Sequence, residues 1–187
     1  MAETENGNGA AAGQQQPVGE GQQVQVGVIA QYTKDLSFEN PNAPGVFQKQ
    51  TEDKPQIDVN VNVNARKLNE EAYEVDLKIT ANAKQGEDTA FVVELVYSGL
   101  FGARNLPQES IQPFLLIECP RILFPFARRI IADATRDGGY APLLLEPIDF
   151  AALYRQHLAQ QQNQGQKEEQ KEDPNSEMST STQGTVN

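Results

Sequence analysis

A chain of 187 residues with 38% hydrophobic side chains has material for one modest core, and 15 Lys plus Arg against 26 Asp plus Glu give it a formal net charge of -11. That balance argues against nucleic acid as a partner, because affinity for phosphates comes largely from cations that release counterions, and it favours a basic protein surface instead. The lone Cys119 excludes an intramolecular disulfide, and the lack of an apolar N-terminal stretch argues against a signal segment or direct membrane insertion, so a cytoplasmic location is expected.

Residues 1–23 are Gly, Gln, Ala and Glu with Val18 as the one branched aliphatic side chain, too little apolar surface to offset ordering entropy, so a disordered tail is expected there. A folded domain is expected over 24–158. Residues 159–187, running from Gln160–Gln164 through Lys167–Asp173 to a Ser/Thr-rich end, read as a second disordered tail. The two tails together carry net -6 and the middle carries net -5.

From Val24 the sequence alternates, placing Val24, Val26, Val28, Ala30, Tyr32, Leu36 and Phe38 on one face of a long half-buried strand. The run Asn40–Gly45 must leave the sheet, since its prolines lack ladder donors, and Val46 and Phe47 follow as apolar loop residues. A second strand carries Ile57, Val59, Val61 and Val63, and a third carries Tyr73, Val75, Leu77 and Ile79. Short polar connectors make an antiparallel meander the economical topology. The fourth strand, from Thr89 to Tyr97, is apolar on nearly both faces and belongs in a protected place. Its Phe91, Val93, Leu95 and Tyr97 are expected on the inner sheet face or in an oligomer interface.

After Pro107 the period lengthens to that of a helix through Ile111, Phe114, Leu115, Ile122, Leu123, Phe126, Ile130, Ile131 and Ala134, with kinks expected at Pro120 and Pro125. Gly138-Gly139 stops it. A loop through Tyr140, Pro142 and Leu143–Leu145 reaches Asp149, a helix N-cap for a last helix bearing Phe150, Leu153, Tyr154 and His157. The fold class is therefore α+β, a four-stranded antiparallel sheet with a long kinked helix and a C-terminal helix on one face. The opposite face then shows Asp35, Glu39, Asp58, Glu74, Asp76 and Glu94 against Lys78 and Arg66, a flat acidic surface. Phe126 and Phe150 are expected in the core.

Catalysis finds little footing. One His and one Cys do not make a metal site, and Gly99–Gly102 lacks the Lys-Ser/Thr of a phosphate loop. The pairs Glu70-Glu71 and Glu87-Asp88 sit in polar connectors, where solvation is the ordinary role. No enzyme activity, catalytic residue, metal or cofactor is assigned.

Four stretches resemble the SecB export chaperones: Tyr32–Glu39 with Asn40–Pro44, then Thr89–Phe91, Cys119–Arg128 and Pro147–Tyr154. They fall in the family's order and span about residues 24 to 158. The resemblance implies a homotetramer, a dimer of dimers in which strands join across protomers and long helices lie between two sheets. It implies an ATP-independent chaperone that binds unfolded secretory precursor proteins in hydrophobic grooves and delivers them to the SecA motor. A SecB-like chaperone dedicated to one client, such as an antitoxin, is the alternative. Asp35, Glu39 and Glu94 match the family's SecA-docking acids, with Val92 beside them. Phe47, Phe124, Tyr140, Leu143 and Leu145 are the matching groove candidates. The chain departs from some relatives in having no Trp, with Thr51 near the place where they carry one, and Phe126 stands where others have Tyr.

Overall fold

Four segments of period-two alternation form one antiparallel sheet in the computed structural model of the chain, which describes residues 23–48 and 55–169. Thr51, the N-terminal tail to residue 22 and the C-terminal tail from residue 170 lie outside the described residues. The strands are β1 (Gln25–Glu39), β2 (Gln56–Lys67), β3 (Ala72–Gln85) and β4 (Asp88–Arg104), ordered β1-β4-β3-β2 across the sheet. Strands β2, β3 and β4 form the expected meander, but β1 pairs with β4 rather than β2, a Greek-key return that corrects the four-strand meander. Two features of the sequence permit this. The Asn40–Pro44 run and the short helix α1 (Gly45–Gln48) carry the chain off the sheet, and β4, apolar on both faces, is served best by a neighbour on each side.

The alternation of β1 is broken twice. Register shifts between Val28 and Ala30 and between Thr33 and Asp35 make Ile29 and Lys34 the inserted residues of two β-bulges. Because each insertion turns the following side chains over, Val26 and Val28 lie opposite Ala103 and Phe101 on the helix side, whereas Ala30 and Tyr32 lie opposite Leu100 and Ser98 on the outer side. The second bulge restores the first parity, so Leu36 and Phe38 return to the helix side opposite Leu95 and Val93. Ala30 and Tyr32 thus leave the face that unbroken alternation predicts.

One long helical segment covers the inner face, built from α2 (Gln108–Pro113), a π-helical turn (Phe114–Glu118) and α3 (Cys119–Asp137). Pro113, Pro120 and Pro125 all lie in it. Pro120 stands in the first turn of α3, where its missing N–H costs least, directly after the π turn that resets the hydrogen-bond ladder. Cys119, Leu123, Ala127 and Ile131, spaced by four, point at the sheet and are fully buried against a β3–β4 surface that includes Leu77, Ile79, Val93 and Leu95. Each buried Leu or Ile contributes about 2 kcal/mol through apolar burial. Gly99 on β4 lets the helix lie close, since an added Cβ would stand 2.9 Å from the Leu123 methyl and 2.5 Å from the Phe101 ring.

Asp149 caps α4 (Phe150–Glu169) as expected, its carboxylate accepting the Ala152 N–H at 3.0 Å. Helix α4 runs past residue 158, the expected end of the domain, because Gln, Ala, Lys and Glu propagate a helix by their own propensity. Among the described residues no helix is long and apolar enough to cross a membrane.

Candidate functional site

Strand registers place the side chains of the outer face in rows. One row runs Glu39, Val92, Asn82, Asp58; the next runs Ser37, Glu94, Thr80, Asn60; a third runs Asp35, Val96, Lys78, Asn62. Asp35, Glu39, Val92 and Glu94 therefore share one patch at the β1–β4 edge. Asp35 and Glu39 are exposed and make no ion pair among the described residues, while Glu94 meets Lys78 at 3.1 Å in an exposed pair of small energetic weight.

The following rows have a different character. Tyr32, Ser98, Asp76 and Asn64 form one, and Ala30, Leu100, Glu74 and Arg66 form the other. Glu74 is only 5% exposed although it sits on the outer side, and it accepts hydrogen bonds from the Tyr32 hydroxyl, from Lys34 Nζ at 2.9 Å and from Arg66 Nε at 2.5 Å. Asp76 accepts from Lys34 at 2.8 Å and from the buried Ser98 hydroxyl at 2.6 Å. Arg66 first, and then Tyr32, hold the Glu74 carboxyl down at about 2. Hydrogen bonds to Asp76 and Glu74 raise the Lys34 ammonium above its ordinary value, and the Glu74 carboxylate does the same to the Tyr32 phenol. The expected flat acidic surface is less acidic than its residue list. Glu74 and Asp76 are compensated within the sheet, Lys34 joins the outer face through its bulge, and the carboxylates left open are Asp35 and Glu39 on β1 and Asp58 at the β2 edge.

On the helix side an aromatic chain leads out of the core. Phe38 stacks on Phe91 at 5.7 Å, Phe91 meets Tyr140 at 4.8 Å, and Tyr140 meets Phe47 at 5.2 Å. Phe91 is buried and Phe47 is 50% exposed, so the chain ends in solvent. The Tyr140 hydroxyl lies 2.7 Å from the Ala90 carbonyl and 2.9 Å from Asn40 Oδ1, which fixes its ring beside the end of β4. Gly138 makes room for Phe38, whose ring occupies the place of any Cβ there. The loop after α3 is clamped by Thr135, a fully buried hydroxyl that accepts the Leu143 N–H at 2.9 Å.

Of the groove candidates, Phe47 and Tyr140 come together at this outlet. Leu143 is half-buried, Leu145 is buried, and Leu144 between them is 66% exposed, an open apolar side chain. Phe124 is 8% exposed and packs edge-to-face on the buried Phe150 at 6.1 Å, so it belongs to the core. Phe126, expected in the core, is instead 45% exposed and stacks over Tyr97 at 6.1 Å. On α3 the two phenylalanines flank the buried stripe of Cys119, Leu123, Ala127 and Ile131 from opposite sides, so spacing does not decide which of them faces in. Phe91, Val93, Leu95 and Tyr97 all lie buried on the inner sheet face. Cys119 is fully buried, and that burial pushes its thiol up to about 12, leaving it protonated. A shallow cleft of about 520 Å³ lined by Val26, Val28, Ile29, Glu71 and Arg104 opens at the other end of β1, away from the aromatic chain.

Comparison with known proteins bears on this arrangement directly. The family described as "Preprotein translocase subunit SecB" matches residues 19–161. The protein-export protein SecB of Rhodopseudomonas palustris strain TIE-1 is 51% identical over 161 residues, covering 86% of this chain and 98% of that protein. The protein of the same name from Zymomonas mobilis is 58% identical over 137 residues, covering 73% and 82%. Among solved structures, a Mycobacterium tuberculosis SecB-like chaperone in complex with a peptide from the HigA1 antitoxin has a TM-score of 0.55 over 66% of this chain and 90% of that chain, at 15% identity, which is a likeness of fold.

Proposed function

The chain belongs to the SecB family and is a protein-export chaperone, and on that premise we propose that it holds unfolded secretory precursor proteins without nucleotide and passes them to the SecA motor through the patch of Asp35, Glu39, Val92 and Glu94. The observation that carries this reading is segregation. The open carboxylates Asp35 and Glu39 lie together on the β1 edge of the outer face, and the apolar outlet of Phe47 and Tyr140 lies on the helix side, so partner and client engage different surfaces.

The two surfaces suit their tasks physically. Apolar contacts at about 25 cal/mol per Å² reward burial without demanding a particular side chain, which fits a binder of many unfolded sequences. Carboxylates at a rim steer a basic partner and set specificity, so docking should weaken as salt rises. A homotetramer in the cytoplasm completes the proposal. Val26, Val28 and Leu36 on the helix side of β1, with Ile122 and Phe126 on α3, remain exposed in the single protomer, and association is the simple way to cover apolar side chains in that number.

The deciding experiment reverses two charges. The Asp35→Lys/Glu39→Lys protein is expected to lose binding to immobilised SecA while still suppressing aggregation of a denatured precursor. Loss of both activities together, or undiminished SecA binding, would count against separate surfaces. The alternative of a single dedicated client gains interest from the antitoxin peptide carried by the Mycobacterium tuberculosis chaperone. Pull-down of one stoichiometric partner rather than many precursors would favour it.

A further inference from the structure

We propose that Lys34 is the positioning residue of the docking patch: as the inserted residue of the second bulge, tied to Glu74 and Asp76, it fixes the strand register that turns Asp35 and Glu39 outward. The inference deepens the docking reading and rests on it.

Parity makes the point. A shift of one residue turns over every side chain that follows it in a strand. With the first bulge alone, Asp35, Ser37 and Glu39 would face the helices and Leu36 and Phe38 would face solvent. The second bulge, at Lys34, reverses that outcome. A bulge interrupts the ladder, so it needs something to hold it in place. On the helix side Phe38 stacks on Phe91 at 5.7 Å. On the outer side the inserted residue itself is the anchor, for Lys34 Nζ reaches across β4 to β3, 2.9 Å from Glu74 and 2.8 Å from Asp76. Both acceptors are held in turn, Glu74 by Arg66 and Tyr32 and Asp76 by Ser98.

Charge and position predict opposite signs for one substitution. Lys34 is a cation on a face that attracts a basic partner, so removing it by Coulomb's law alone leaves binding unchanged or tighter. If it positions Asp35 and Glu39, removing it weakens binding. We therefore expect Lys34→Met in the full chain to bind SecA roughly three- to thirtyfold more weakly, the span open to residues that act through others, with Lys34→Arg restoring affinity. Aggregation suppression should persist, and amide hydrogen exchange should quicken over residues 34–39 while α3 stays protected.

Unweakened binding by Lys34→Met, with the unaltered chain binding SecA and Asp35→Lys/Glu39→Lys failing to, overturns the inference alone. Absence of SecA binding by the unaltered chain overturns the docking reading and the inference with it. Should Lys34→Met not fold, Lys34→Gln, whose amide still donates to one carboxylate, is read by the same criteria.

Discussion

Two halves of one sheet face carry the same acidic residue types in opposite conditions. On β3, Glu74 is nearly sealed from solvent and ringed by Arg66, Tyr32 and Lys34, and Asp76 is shared between Lys34 and Ser98, while Asp58 alone on β2 stays open. Along the last residues of β1, Asp35 and Glu39 are exposed and form no ion pair among the described residues. The first pair of acids holds strands together and offers little field to a visitor. The second pair contributes little to the fold and leaves its charge available. Counting the acids on a face therefore overstates its pull on a basic partner; what matters is which carboxylates already have donors.

Three measurements would break or sharpen that contrast. The largest effect is expected from Glu74→Ala, which strands three donors at once. A loss of about 2 kcal/mol in urea-unfolding stability should follow, less than for a fully buried pair because Lys34 and Arg66 can return to water. A smaller effect is expected from acid. The Glu74 carboxyl sits at about 2 in the folded chain against an ordinary 4.5, so its stabilisation is fully present above about pH 4.5 and fades as pH falls toward 2. Urea midpoints in that range should therefore drop more steeply with acid in the unaltered chain than in Glu74→Gln. The smallest effect belongs to Asp35→Asn/Glu39→Gln, whose stability should stay within about 0.5 kcal/mol of the original. A large loss there would mean that these acids have structural work too, and the contrast would fail.

Much of this arrangement is legible along the chain. Valine alternation in β2, the apolar character of β4, the Gly138 stop and the Asp149 cap are local signals, and the structure contains each of them. Phe124 lies in the core and Phe126 outside it because the two flank the apolar face of α3 from opposite sides, where contact with Phe150 or Tyr97 settles the matter. Leu144 was hidden among three consecutive leucines, of which only the folded loop leaves the middle one open. Strand order was hidden too, since pairing of β1 with β4 depends on contacts more than fifty residues apart.

The most instructive case is β1. Simple alternation assigned Asp35 and Glu39 to the outer face and Tyr32 to the inner; the first assignment holds and the second does not, because two single-residue insertions cancel after Lys34 and do not cancel at Tyr32. The one trace in the sequence was Lys34 itself, a cation interrupting a run of apolar even-numbered positions.

What the sequence determined by itself was the set of elements, their amphipathic sense and the membership of an export-chaperone family, because periodicity and blocks of identity are properties of neighbouring residues. The tertiary structure alone decided the strand order, the two bulges and which acids are neutralised. Those depend on what stands across the sheet: a carboxylate is open or spent according to the donors that other strands bring within about 3 Å of it, and no local pattern records that distance.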